Sequence, residues 1–221
     1  MSRMSSNAAG ADFISGTCTG FATTPLTISI WVLVFNIISD ILCCVGTSGS
    51  LNNQYNLALG STNRAQANEK DTVSSGAQTA GAISSGVWHN ITGVFTSHSS
   101  RTVYVDGGSN VTDPTARTCG ATTAAAVMGN LVGGATPAAI YSHFALWNIA
   151  LSVDDIRTLQ TVPPNNVKPA NLVEYWPMRN NQSPELSVGT GGSRLTVVSS
   201  AFNTSDPYPQ ITATLMGQST T

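Results

Sequence analysis

An all-β fold, a two-sheet antiparallel β-sandwich carrying one short edge-covering helix near 153–160, is what this sequence predicts. Three observations point there. Apolar runs of strand length recur between clusters of Gly, Ser, Asn and Asp, the pair Asp106-Gly107 marks a tight reversal, and one clean helix start signal stands at Ser152. With 221 residues, 41% of them hydrophobic, the chain can fill one sizeable core. We read 12–206 as a single domain, 1–11 as an N-terminal arm and 207–221 as a C-terminal tail.

The elements follow in order. Leu26 to Phe35 opens with Ile28, Ile30 and Val32 in alternation and then turns apolar on both faces, as a central strand does. The longer run from Ile28 to Val45 raises the question of a membrane span. Asn36, Ser39 and Asp40 interrupt it, and a mid-span Asp costs about 2.5–3.5 kcal/mol on insertion, so two strands joined at Asn36 to Asp40 are the better reading. Ile41 to Val45 and Tyr55 to Leu59 flank a turn at Gly46 to Ser50. Residues 60–85 are small and polar, hold the densest charge of the chain in Arg64, Glu69, Lys70 and Asp71, and read as an exposed excursion with room for a short strand.

Val87 to Thr96 and Arg101 to Asp106 form the clearest pair, separated by a polar turn at His98 to Ser100. Asp106-Gly107 then supplies the positive φ angles for a reversal into Ser109 to Thr112. Ala124 to Gly129 and Ala139 to Trp147 continue the antiparallel order across a Gly133-Gly134 loop. In the last of these, Tyr141, His143, Ala145 and Trp147 alternate onto one face. The period then changes. Ser152 is an N-cap, Asp155 at N3 completes a capping box, and Asp154 adds a carboxylate where the helix dipole favours one. Leu151 and Ile156 are spaced as a hydrophobic staple, Val153, Ile156 and Leu159 make one apolar face, and Pro163-Pro164 forbids continuation. So short a helix is marginal alone and must pack on the sandwich, covering an end or edge. Glu174 to Trp176 forms a late strand that Pro177 ends.

Taken in sequence, TISIWV (27–32), GVWHNITGVF (86–95), VYVDG (103–107), VMGN (127–130), FALWNIALSVDDIRTL (144–159) and LVEYWPM (172–178) resemble the laminin-G-like branch of the concanavalin A-like lectin/glucanase superfamily, in the jelly-roll variant of phage and bacterial surface proteins. The resemblance covers 26–178 and extends into the SPE, LT and DxP pieces of the stretch from Ser183 to Pro209. It implies a jelly roll in which the lone helix is the edge cover before the last strand. Trp31, Trp88, Trp147 and Trp176 lie on or beside these strands, and their size suits the core between two sheets better than a sugar-stacking platform.

The chemistry narrows further. Nine Lys and Arg scattered over a chain of net charge −2 give no basic stripe for nucleic acid. Residues 1–12 carry no apolar core of a secretory signal, so synthesis in a host cytoplasm and no membrane are expected. Cys18, Cys43, Cys44 and Cys119 show no zinc spacing and read as reduced, buried residues, with Cys43 and Cys44 on opposite strand faces. Asn90, Asn110, Asn181 and Asn203 begin N-x-[ST] matches that a chain this rich in Asn, Ser and Thr produces by chance. Glucanases of the superfamily place paired carboxylates on one strand, whereas Glu69, Glu174 and Glu185 show no such spacing, and His89, His98 and His143 lack a nucleophile context. No cofactor is expected. The resemblance raises calcium, but Asp40, Asp106 and Asp113 stand isolated in sequence.

Charged residues are only 9% of the chain, which suits a surface covered by neighbours. Together with this composition, the resemblance to phage-type relatives implies the first expectation: a non-enzymatic virion structural protein of a tailed bacteriophage, a capsid decoration or other surface component, with itself and other virion proteins as partners. The second is a carbohydrate-binding adhesion module, with Asn52, Asn53, Gln54 and Tyr55 as candidate glycan contacts.

Overall fold

The structure is a computed structural model that describes residues 2–4, 14–18, 23–35, 39–108, 110–127, 138–178, 185–197 and 202–204. In chain order the strands are β1 (Ser2–Met4), β2 (Ile14–Thr17), β3 (Leu26–Val34), β4 (Asp40–Gly46), β5 (Gln54–Leu59), β6 (Arg64–Lys70), β7 (Ser74–Ala82), β8 (Trp88–Ser97), β9 (Ser100–Val105), β10 (Asn110–Asp113), β11 (Ala124–Val127) and β12 (Ala139–Trp147). Helix α1 (Val153–Thr158) and two short 3₁₀ turns then precede β13 (Leu172–Trp176), β14 (Glu185–Leu186), β15 (Arg194–Val197) and β16 (Phe202–Thr204).

These strands make two eight-stranded antiparallel sheets. The first runs β10-β9-β8-β3-β12-β1-β16, with β13 also pairing β12. The second runs β14-β15-β2-β11-β4-β5-β6-β7. The apolar run that resembles a membrane span is divided between them, β3 central in the first and β4 in the second, and no helix among the described residues is long and apolar enough to cross a membrane. The joint at 36–38 lies outside the described residues, as do the Gly133-Gly134 loop, Gly129 and most of both chain ends. Residues 2–4, within the expected arm, pair with β12 and β16 as a strand.

Between the sheets lies one core, built from Leu26, Ile28, Ile30, Val32 and Val34 of β3, Leu42, Cys43 and Val45 of β4, Tyr55, Leu57 and Leu59 of β5, and their neighbours. Packing is close enough that Gly93, in the middle of β8, has no room for a side chain: a Cβ there would stand 2.7 Å from Leu57 Cδ2. The Asp106-Gly107 reversal forms as expected, with φ of 51° and 68° at its two residues.

Four expectations are corrected. Residues 60–85 are no excursion but two full strands, β6 and β7; Ala65, Ala67 and Ala77 point into the core, and such small residues give little hydrophobic signal in sequence. The alternation along β12 breaks at His143, whose φ of 51° marks a bulge, so Tyr141, Phe144 and Leu146 face the core while Ala145 and Trp147 face outward. The tryptophans divide accordingly: Trp176 sits between the sheets, stacked on Phe144 with ring centroids 5.2 Å apart, and Trp147 lies on the outer side of the first sheet. Trp31 and Trp88 also share that outer side, since Trp31 pairs with Asn90 and Leu33 with Trp88 while Ile30 and Ile91 face the core.

The last correction concerns what α1 covers. Its capping box is complete, with Ser152 Oγ accepting from Asp155 N and the Asp155 carboxylate accepting from Ser152 N. Ile156 and Leu159 pack on Val94, Ala145, Trp147 and Tyr175, so the helix shields the outer face of the first sheet rather than its edge. Val153 remains exposed. Trp147 Nε1 donates to Val167 O at 2.8 Å, fastening the 3₁₀ turn that Pro164 begins to the same face.

Candidate functional site: an amide-lined groove

Alternation in β5 and β6 sorts side chains by chemistry. Tyr55, Leu57 and Leu59 from β5, with Ala65 and Ala67 from β6, enter the core. Gln54, Asn56 and Ala58, with Gln66, Asn68 and Lys70, therefore stand on the outer side of the second sheet. The register places Gln54 beside Lys70, Asn56 beside Asn68 and Ala58 beside Gln66, while β7 adds Gln78 opposite Gln66 and Ser74 opposite Lys70. Of these, Gln54, Asn56, Ala58, Gln66, Asn68, Lys70 and Ser74 floor an open groove of about 330 Å³, walled by Ser39, Asp40 and Ile41 at the start of β4 and by Leu51 of the β4–β5 loop.

The amides are oriented by one another. Asn68 Nδ2 donates to Asn56 Oδ1 at 3.0 Å and to Gln66 Oε1 at 3.3 Å. Gln54 Nε2 donates to Leu51 O at 2.8 Å, while Gln54 Oε1, buried, has no hydrogen-bond partner. Among the described residues Asp40 is the one carboxylate in the lining. Burial pushes its carboxyl up from the ordinary range, partly offset by the hydrogen bond from Ile41 N at 2.8 Å. A floor of amides offers donors and acceptors side by side, the pattern that matches vicinal hydroxyls and amides of a polar ligand.

Of the glycan contacts expected from sequence, the structure brings only Gln54 to this groove. Tyr55 points the opposite way, buried against Phe95 with ring centroids 5.1 Å apart, because adjacent strand residues face opposite sides. Asn52 is exposed on the loop, with its N–H bound to Ser50 Oγ, and Asn53 takes a left-handed φ of 55° with its Oδ1 accepting from Gly120 N. Both shape the loop. Sequence reasoning missed Asn56, Gln66 and Asn68; the signal was the Ala-Gln-Ala-Asn alternation of 65–68, masked by the smallness of the inward residues.

Titratable groups elsewhere are engaged in holding the fold. Glu69, fully buried, receives His98 Nδ1 at 2.5 Å and Cys119 N at 3.2 Å, and Arg101 lies between it and Asp113. Burial first, then Glu69, pushes the Cys119 thiol up to about 12, and burial pushes the Tyr55 hydroxyl up as well. Ser84 N donates to His89 Nε2, which leaves His89 Nδ1 to donate to Asp106 Oδ2 at 2.7 Å and so brace the β9–β10 turn. His143 Nδ1 lies 2.6 Å from Tyr175 Oη at the β12 bulge. Glu174, buried in β13, accepts from Ser193 N and Oγ. Asp40, Asp106 and Asp113 stay apart, one in the groove and two at separate turns, and among the described residues no group of three or more His, Cys, Asp or Glu side chains is placed to hold a metal ion.

Residues 8–157 match the family described as the concanavalin A-like lectin/glucanases superfamily. Among solved structures, a Bacteroides ovatus protein described as carbohydrate binding superposes with a TM-score of 0.66 at 12% identity, over 91% of this chain and 58% of its own. The chain thus spans little more than half of that protein. The heptameric SAP-like pentraxin of Limulus polyphemus superposes with a TM-score of 0.60 at 14% identity, over 87% of this chain and 91% of the pentraxin. Comparison with curated protein sequences gives no match.

Proposed function

The chain belongs to the concanavalin A-like lectin/glucanase superfamily, and on that premise we propose that it is a non-catalytic glycan-binding module whose ligand lies along the amide-lined groove. One observation carries the proposal: Gln54, Asn56, Gln66 and Asn68 form a continuous polar floor on an open sheet face, beside Lys70 and Asp40. Among the described residues the groove is lined by amides, aliphatic carbon, hydroxyls, Lys70 and Asp40, without an aromatic ring, so binding is read as hydrogen bonding rather than stacking. The single lining carboxylate among the described residues supplies half of the pair that glycoside hydrolysis uses, which supports binding without turnover. The description of the Bacteroides ovatus neighbour points the same way. The test is a glycan array on the full chain, followed by titration of a hit against Gln66→Ala/Asn68→Ala. Loss of at least about tenfold in affinity is expected from removing two polar contacts. Unchanged affinity in the double variant, or silence across the array, rejects the proposal.

A second reading, a structural surface protein of a phage virion that contacts itself and other virion proteins, is favoured by the 9% charge content and by Phe35 and Val87, both about half exposed at adjoining strand ends. Mass spectrometry of purified particles tests it: many copies per particle support it, and absence from particles rejects it. The two readings are compatible, since a virion surface component can carry a glycan site.

A further inference from the structure

We propose that the groove takes an acidic sugar whose carboxylate is received by Lys70 and Asn56; this rests on the glycan-binding reading. The hydrogen bonds of the floor carry the inference. Asn68 Nδ2 has two hydrogens and spends both, on Asn56 Oδ1 and on Gln66 Oε1. Asn68 Oδ1 is turned the other way, into the space that a Cβ on Gly76 would fill. The oxygen ends of these three amides are thus engaged or turned aside, while the amino ends of Asn56 and Gln66 donate to none of the described residues. Asn56 Nδ2 is not one of the sealed, unpartnered polar atoms, so it keeps contact with the groove that its residue lines.

Lys70 adds a charge to this donor face. It lies two residues beyond Asn68 on β6, on the same side of the sheet and diagonal to Asn56, a separation that a long side chain spans. Among the described residues its ammonium has no hydrogen bond and no ion pair. The carboxylates around it are committed elsewhere. Glu69 is buried with His98, Asp71 accepts from Val73 N and Thr118 N, and Asp40 pairs with Leu59, about 17 Å along β5 from the Gln54 that lies beside Lys70. An unpaired ammonium next to an unengaged amide N–H suits a carboxylate, which accepts from both through its two oxygens; a neutral hydroxyl gains no charge-assisted bond there.

β-1,4-Tetraglucuronate and cellotetraose share one backbone and differ at C6 in carrying a carboxylate or a hydroxymethyl group, so they serve as probes for calorimetric titration of the full chain. The acid is expected to bind at least about tenfold more tightly at low salt, the size of one charge-assisted contact, and the gap to narrow as salt rises. Lys70→Gln is expected to remove most of the preference. Asn56→Asp keeps an acceptor for Asn68 but sets a carboxylate against the ligand, so it should weaken the acid more than cellotetraose. Thermal unfolding confirms that each variant is folded, and the wild-type comparison with its salt dependence stands if one is not. Equal affinity for the two probes, or a preference that folded Lys70→Gln retains, overturns the acidic-sugar inference and leaves glycan binding intact. If neither probe binds, the array decides: acidic hits that Lys70→Gln weakens support the inference, whereas neutral hits alone, or acidic hits that it leaves unchanged, overturn it. Silence across the array rejects the glycan reading and the inference with it.

Discussion

Replacing Arg101 by Met should destabilise the protein by about 3–5 kcal/mol, the usual cost of removing one partner from a buried ion network. The guanidinium is fully buried. Its Nη1 donates to Ser75 O at 3.0 Å and lies 3.3 Å from Asp113 Oδ2; its Nη2 donates to His98 O at 3.0 Å and to Thr115 O, and lies 3.9 Å from Glu69 Oε2. Glu69 lies on β6, Ser75 on β7, Arg101 on β9 and Asp113 on β10, so one side chain clamps the end strands of both sheets together. Methionine fills most of the volume but takes the cation away from Asp113 and from buried Glu69 Oε2, which among the described residues has no hydrogen-bond partner; Glu69 Oε1 keeps His98 Nδ1 and Cys119 N. For a chain of this length the loss corresponds to a fall in Tm on the order of 10 °C. Guanidinium unfolding followed by tryptophan fluorescence gives the free energy, and a cycle with Glu69→Gln isolates the ionic part. The double variant should be more stable than the sum of the two single losses implies, by at least about 1 kcal/mol, because neutralising Glu69 removes a buried charge that has lost its guanidinium neighbour. Arg101→Met within about 1 kcal/mol of wild type, or strictly additive losses, refutes the reasoning.

Three further outcomes are expected. Burial pushes the Asp113 carboxyl up, but hydrogen bonds from Thr115 and Ser75 and the charge of Arg101 outweigh it and hold it below the ordinary range. Its contribution is thus present at neutral pH and is lost as pH falls below about 4; unfolding free energy against pH should show that acid loss in wild type and less of it in Asp113→Asn. Ser152→Ala should cost about 1 kcal/mol by calorimetry, because it removes one half of the α1 capping box and leaves Asp155 N without its acceptor. All four cysteines are buried, and burial raises the thiols of Cys18, Cys43 and Cys119, so a thiol reagent at pH 8 should titrate none of these three in the native protein and all of them in guanidinium.

Much of the architecture was legible in the sequence because it depends on neighbours in the chain. The alternation of Ile28, Ile30 and Val32, the Asp106-Gly107 turn and the Ser152-Asp155 box each state a local rule that tertiary packing had no reason to override. The candidate site was far less legible. Gln54 was reached, but alongside Tyr55, which the strand turns into the core, and Gln66 and Asn68 lay in a stretch whose inward alanines resemble loop composition. The phage context and the choice of partner rest on resemblance and composition, which carry no geometry.

What the chain alone determined was the class: two layers of antiparallel strands and one capped helix. What only the assembled structure decided was direction. A single bulge at His143 reverses which residues of β12 face inward, sending Phe144 and Leu146 to the core and Trp147 out beneath the helix. The pairing of β5 with β6 brings Gln54 and Asn56 together with Gln66 and Asn68, ten or more residues further along the chain, in one groove. Periodicity specifies that side chains alternate, but which face meets water is set by the register and by the layer packed on the other side, and both are properties of contacts distant in the chain.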